Sequence, residues 1–229
     1  MVADQEVRDA LAGSFLAALP PEVVEELLAN GERFDYPGGI TVYRPGSPPR
    51  AALVIRGLLR VYLSSPEGRQ VTVRYARESD VLGIAAVVGG PLNVGVQTIA
   101  PSTFFSINGA KLTELAHRDA RVAWHLAEEL NRRLYDTLYV AAVNTFGSVK
   151  QRVAAHLLDL ASDHQPPDGR LVALVSQQEL ADAVGSVREV VARVLRDLRV
   201  AGIVATAPDS IAILDPARLH AESWPPTVS

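Results

Sequence analysis

Arg188, Glu189 and Arg193 fall within the six-residue stretch "REVVAR", and Arg196 and Arg199 follow at helical steps. A guanidinium offers parallel N–H donors that match the O6 and N7 acceptors of guanine, and a carboxylate accepts from the amino group of cytosine. Side chains so spaced can read base edges if a helix presents them. Arg196 and Arg199 extend the same basic face toward phosphates, and only Glu189 and Asp197 oppose the four arginines. The chain as a whole is acidic, with 22 Lys and Arg against 26 Asp and Glu. Its basic surface is therefore local, unlike that of a general polyanion binder.

The presenting elements can be read from the surrounding segment, "SQQELADAVGSVREVVARVLRDLRVAG". Ser176 and Glu179 form an S-x-x-E capping box that predicts a helix through about Ala183. Gly185 supplies a tight turn, and a second helix is predicted from Val187 to near Gly202. Ala181, Val184, Val191 and Val194 are small or apolar where two steeply crossing helices touch, which is the pattern of a helix-turn-helix. The hairpin "IVATAPDSIAIL", turning at Pro208-Asp209, reads as the wing of a winged helix. Two amphipathic helices with solvated arginines would share this periodicity. The ordered series of cap, turn glycine, contact positions, leading Arg-Glu pair and wing favours DNA.

Upstream, the period of the hydrophobic pattern changes twice. A helical opening, "FLAALPPEVVEELLANG", precedes a stretch from Arg33 to about Leu112 that is rich in β-branched residues, Gly and Pro. There "TVYRPG", "AALVIRGLLRVYLSS", "RQVTVRYA" and "TFFSI" predict short strands, with "SPEGRQ" as a hairpin loop. Many short strands with turns between them predict a small antiparallel barrel or jelly roll. From Lys111 to about Thr145 one long helix is predicted. Ala123, Ala127, Leu130, Leu134, Thr137, Ala141 and Asn144 alternate in steps of four and three, which predicts a heptad seam between two copies. The helix could also lie on its own barrel. Beyond Phe146-Gly147-Ser148, "VKQRVAAHLLDLAS" predicts a helix, "HQPPDGR" a loop and "LVALV" a strand.

The absence of cysteine removes disulfides, thiolate metal sites and thiol redox switches. No stretch reaches the roughly 20 apolar residues of a membrane span, and no leader is evident, so a cytoplasmic protein without membrane contact is expected. No metal or cofactor is expected. An enzyme is not expected either, since the G-x-S-x-G, H-E-x-x-H, P-loop and G-x-G-x-x-G patterns are all missing. His125 on the long helix could in principle ligate haem, although a lone helical histidine is more often packed or solvated. A scaffold whose helix-turn-helix meets protein rather than DNA stays open.

Nearly the whole chain resembles the Crp/Fnr family of bacterial transcription regulators. "YPGGITVYRPG" and "LVIRGLLRVYLSSPEGR" resemble its barrel strands, and "SQQELADAVGSVREVVARVL" its helix-turn-helix, the most specific match. The resemblance implies an α+β architecture of an N-terminal antiparallel β jelly roll, a long dimerisation helix and a C-terminal winged helix-turn-helix. The implied division is 1–115 for the sensor, 116–146 for the helix and hinge, 147–220 for the DNA-binding domain and 221–229 for a tail. It also implies base reading by Arg188, Glu189 and Arg193, backbone contacts by Ser176 and Gln178, and a homodimer seam through Leu130, Leu134, Thr137 and Ala141. The partners implied are double-stranded DNA, a second copy and RNA polymerase.

In "DVLGIAAVVGGPLNVGVQTIA" the family's cyclic-nucleotide cassette keeps its spacing and loses its chemistry. Gly83 retains the cassette glycine. Ile84 stands where the ribose-binding glutamate belongs, and Val94-Gly95 where an Arg-Ser pair would grip the phosphate. Thr137 alone matches a polar residue near the base. A degenerate pocket is expected in which a phosphate against Val94 and Gly95 would meet no side-chain cation, either filled by Ile84, Val87, Val88 and Val94 or open to an unknown apolar effector. Weak nucleotide binding through backbone amides, Thr137 and Arg132 or Arg133 is the alternative.

Overall fold

The computed structural model describes residues 5–48, 50–64, 70–90, 93–163 and 171–223. They form two compact units, one ending at Thr137 and the other beginning at Leu138.

The first unit opens with α1 (Gln5–Ala12), a single 3-10 turn at Phe15–Ala18, and α2 (Pro21–Leu28). Strands β1 (Arg33–Tyr36), β2 (Thr41–Tyr43), β3 (Ala51–Arg56), β4 (Leu58–Ser64), β5 (Gln70–Arg77) and β6 (Val81–Leu82) lead into a short helix α3 (Ile84–Gly89). Strands β7 (Gly95–Thr98) and β8 (Ser102–Ile107), then α4 (Gly109–Arg118) and α5 (Ala120–Phe146), follow. The strands make two antiparallel four-stranded sheets, ordered β1-β8-β3-β6 and β2-β7-β4-β5, which together are the predicted jelly roll.

Strand periodicity explains the layering. Ala51, Leu53 and Ile55 of β3 join a helical core with Val7, Leu27, Leu112, Val122 and Leu126. The alternate residue Val54 joins Leu59, Ala76, Val96 and Phe104 between the sheets. Full burial of a Leu or Val side chain is worth about 1.5–3 kcal/mol, so two such clusters fix which face each strand turns inward.

Several predicted elements differ in detail. The stretch "AALVIRGLLRVYLSS" splits into β3 and β4 at Gly57, where φ is 122° and a Cβ would lie 2.2 Å from Ser102 Oγ. Strands β1, β6 and β7 and helix α1 were not predicted. The single helix from Lys111 is two helices. Asp119 ends α4 in an extended conformation, and its carboxylate accepts from the Arg121 backbone N–H at 2.8 Å to start α5. An aspartate can cap a helix without any Gly or Pro signal. The predicted loops at 65–69 and 164–170, and residues 224–229 of the predicted tail, lie outside the described residues.

The second unit contains α6 (Val149–Asp163), β9 (Leu171–Ala173), α7 (Gln177–Ala183), α8 (Arg188–Val200), β10 (Val204–Ala207), β11 (Ser210–Ile213) and α9 (Pro216–Ser223). Its sheet runs β10-β11-β9, and the β10–β11 hairpin is the expected wing. Ala181, Val184, Val191 and Val194 are all buried, as two crossing helices require.

Candidate nucleic-acid interface and effector cavity

The start of α7 is held by reciprocal bonds. Glu179 N–H donates to Ser176 Oγ at 3.2 Å, and Ser176 N–H donates to Glu179 Oε2 at 2.9 Å. That backbone bond is the main reason the Glu179 carboxyl lies below its ordinary range. The Ser176 hydroxyl thus accepts from the Glu179 N–H within the cap, and its own bond to the Glu179 carboxylate also holds that carboxyl down. Gln178 is exposed beside it. Gly185, at φ 61°, makes the left-handed turn into α8 and has open space around it, so conformation alone requires glycine there.

Helix α8 is two-faced. Val191, Val194, Leu195 and Leu198 are buried, while Arg188, Glu189, Arg193, Arg196 and Arg199 are exposed. At about 100° per residue the four arginines and Glu189 fit within an arc of about 140° on the side opposite the buried residues. Among the described residues none of these arginines forms an ion pair. Their donors are therefore directed at solvent, and burial of the opposite face fixes which way they point. Val187 caps the helix without a side-chain bond and is 58% exposed beside Arg188.

In the first unit a mostly apolar cavity of about 920 Å3 opens between the sheets and α5. Gly83, Val94 and Thr137 line it, as do Val87, Phe104 and Leu130. Ile84 does not, being fully buried in the helical core, and Val88 is half exposed to solvent. Of the two expected states the fold has the open one: α3 turns Ile84 away, and the cavity is not filled. Gly95 is packed against Tyr62, where a Cβ would come within 2.2 Å of the ring. Gly83 has φ 80°, and a Cβ there would lie 1.7 Å from the Arg50 carbonyl oxygen.

Cations stand elsewhere in the wall. Arg50, Arg74 and Arg133 line the cavity. Arg133 Nε donates to Glu129 Oε1 at 2.7 Å, and its Nη2 donates to the Val81 carbonyl. Arg132 grips Glu129 with Nε and Nη2, both at 2.9 Å, and reaches Asp80 and Asp136 at 3.2 Å. Burial pushes the Glu129 carboxyl up, but the two arginines outweigh it and hold it below its ordinary value. Burial, followed by the charge of Arg74, lowers Arg133. Thr137 Oγ1 donates to the Arg133 carbonyl at 2.9 Å, which occupies the hydroxyl proton expected near a base.

The residues expected along the α5 seam divide between two faces of the helix. Leu130 packs partly buried against its own core and Thr137 lines the cavity, so both face the barrel. The exposed register is Trp124, Ala127, Asn131, Leu134, Leu138, Ala141 and Thr145, again alternating three and four. Trp124 is 65% exposed and Leu134 56%. Sequence spacing alone could not separate these interleaved registers, because both faces carry apolar residues.

Comparison with known proteins places both units. The cyclic nucleotide-binding domain matches residues 33–119, and the Crp-like helix-turn-helix domain matches residues 151–222. The chain is 32% identical to the transcriptional regulator LdrP of Thermus thermophilus over 187 residues, covering 80% of this chain and 92% of that protein. It is 29% identical to the CRP-like cAMP-activated global transcriptional regulator of Mycobacterium tuberculosis, covering 92% and 96%. The solved structure of the c-di-GMP responsive global regulator CLP of Xanthomonas campestris is similar at 25% identity and a TM-score of 0.52, covering 85% and 99%. No described helix is long and apolar enough to cross a membrane.

Proposed function

Because the chain belongs to the Crp/Fnr family of transcriptional regulators, we propose that it reads a pseudo-palindromic operator as a homodimer, with little dependence on cyclic AMP. The observation that carries this is the exposed arginine face of α8, which forms no ion pair among the described residues, next to a wing. Arg188 and Arg193 take guanines through O6 and N7, and Glu189 takes the cytosine opposite, which gives half-sites like GTGA. Ser176, Gln178, Arg196 and Arg199 meet the phosphate backbone, which fixes register without reading sequence. Two recognition helices of a dimer enter major grooves roughly 34 Å apart. The seam is the exposed α5 register, to which the expected Leu134 and Ala141 belong. We divide the chain into a sensor (1–115), a dimerisation helix and hinge (116–146), a DNA-binding domain (147–220) and a tail (221–229). Such a regulator acts in the cytoplasm, contacts RNA polymerase and catalyses nothing.

The test is selection from random duplexes, followed by binding of the selected and a scrambled duplex across a salt series. Phosphate contacts make both affinities fall with salt, and base contacts separate the two curves. Overlapping curves would sink the proposal in favour of a helix-turn-helix that meets protein.

Weak cyclic-nucleotide control is a second reading, favoured by Arg133 and Thr137 in the cavity wall and by the cAMP-activated relative. Ile84 and Val94-Gly95 oppose it, since neither position offers the ribose or the phosphate a polar side chain. Loss of one partner of a buried charge pair costs about 3–5 kcal/mol, so cyclic AMP binds at least about a hundredfold more weakly than with a full cassette. Micromolar binding with a large gain in DNA affinity would reverse this order.

A further inference from the structure

The charge on the cavity wall is one-sided. Arg50, Arg74 and Arg133 line it, and no Asp or Glu does among the described residues. Arg74 and Arg133 are deeply placed, with side chains 9% and 12% exposed. The carboxylates that partner them are not part of the wall. Asp80 is a loose partner of Arg74 at 3.8 Å, and Glu129 is shared between Arg133 and Arg132. The rest of the surface is apolar and aromatic, including Phe34, Tyr36, Val61, Leu82, Val96 and Phe104.

A cavity of this size matches the range of small-molecule sites, which pair an apolar lining with a few polar groups that fix orientation. Arg50, Arg74, Arg132 and Arg133, in and beside the wall, face only Asp80, Glu129 and Asp136, so these groups leave room for one further negative charge. A dianion or trianion would exceed what they balance. Guanidinium geometry suits a planar carboxylate, which can accept two N–H bonds at once.

We propose that this cavity binds an amphipathic monoanion, with its carboxylate between Arg74 and Arg133 and its aliphatic or aromatic body against Phe34, Tyr36 and Phe104. Its body also meets Leu130 and Leu134, so the ligand touches α5 on the barrel side and at one residue of the exposed register. Arg133 bonds both Glu129 of α5 and the Val81 carbonyl, so a carboxylate that draws it inward changes how α5 is tied to β6. The regulatory consequence rests on the proposed DNA-binding function, while the binding itself does not.

Isothermal titration of the intact protein with decanoate, 4-phenylbutyrate, 1-decanol and cyclic AMP tests this, with a thermal melt of every variant. At least one of the two carboxylates is expected to bind, and more tightly than cyclic AMP. If that ligand is decanoate, 1-decanol should bind at least about tenfold more weakly. Arg74→Met and Arg133→Met are each expected to weaken the carboxylate about tenfold and leave the alcohol unchanged. Val94→Trp, which fills the cavity and keeps both arginines in the sequence, should abolish both. Three results would overturn the proposal: equal affinity for decanoate and decanol, cyclic AMP binding tightest, or no binding of either carboxylate by folded protein. DNA is absent from the titration, so failure here leaves the operator measurements standing, and failure of those leaves the titration standing.

Discussion

Arg152 Nε donates to the carbonyl oxygen of Val184 at 2.9 Å, and its Nη1 donates to the Gly147 carbonyl. One guanidinium thus joins the start of α6 to the end of α7, where a helix leaves its last carbonyls unsatisfied. Hydrogen bonds from a charged group are worth about 1.5–3 kcal/mol. Arg152→Met is expected to destabilise the DNA-binding unit by about that amount and to weaken binding of every duplex equally. Denaturant unfolding and anisotropy on specific and scrambled duplexes measure the two effects.

Arg188→Ala should behave differently. Loss of one bidentate base contact costs about 1–3 kcal/mol on the selected operator and relaxes preference at one base pair. An equal loss on scrambled DNA would assign Arg188 to the phosphate backbone instead.

The two leucines of α5 separate the seam from the core. Leu134→Glu places an exposed carboxylate at the proposed dimer contact, where it is buried unpaired in both chains, so dimer and DNA binding fall together. Leu130→Glu puts the charge into the helical core of its own unit and should lower the melting temperature of the monomer itself. Sedimentation and thermal melts distinguish them, and a Leu134→Glu protein that stays dimeric would move the seam elsewhere.

A pH dependence follows from His156 on α6. Burial pushes its imidazole below the ordinary value of 6.5, and Asp159 only partly offsets this. The folded state therefore holds fewer protons than the unfolded chain, so the contribution is full above the ordinary value and lost as pH falls through the lowered one. The DNA-binding unit is expected to melt at lower temperature at about pH 5.5 than at about pH 7.5, and His156→Gln should flatten that difference.

What was legible in the sequence is what local chemistry signals strongly. The Ser176–Glu179 cap, the Gly185 turn and the apolar contacts of α7 and α8 each have a residue-specific cause, and all three stand where predicted. The polar face of α8 followed directly. The cavity was less legible, because its cations come from β5 and α5, far in sequence from the cassette. Arg74 sat in a predicted strand with nothing to mark which face it took, and only the paired sheets bring it beside Arg133. The exposed face of α5 was half legible for a related reason: position 134 is exposed in either register, but the barrel decides between 130 and 131. Asp119 was missed since a capping aspartate looks like any other charged residue in an alanine- and leucine-rich run.

Gly83 separates two kinds of inheritance. With its Cβ position taken by the Arg50 carbonyl, this residue stays glycine whatever the neighbouring cavity holds. Val94 lines the cavity and is free to follow the ligand, whereas Ile84 answers to the helical core. A cassette glycine is thus a record of how the chain folds back on itself, and the residues of the cavity wall are the record of its chemistry. The chemistry of this cavity wall can be rewritten while Gly83 stays held by the backbone against it.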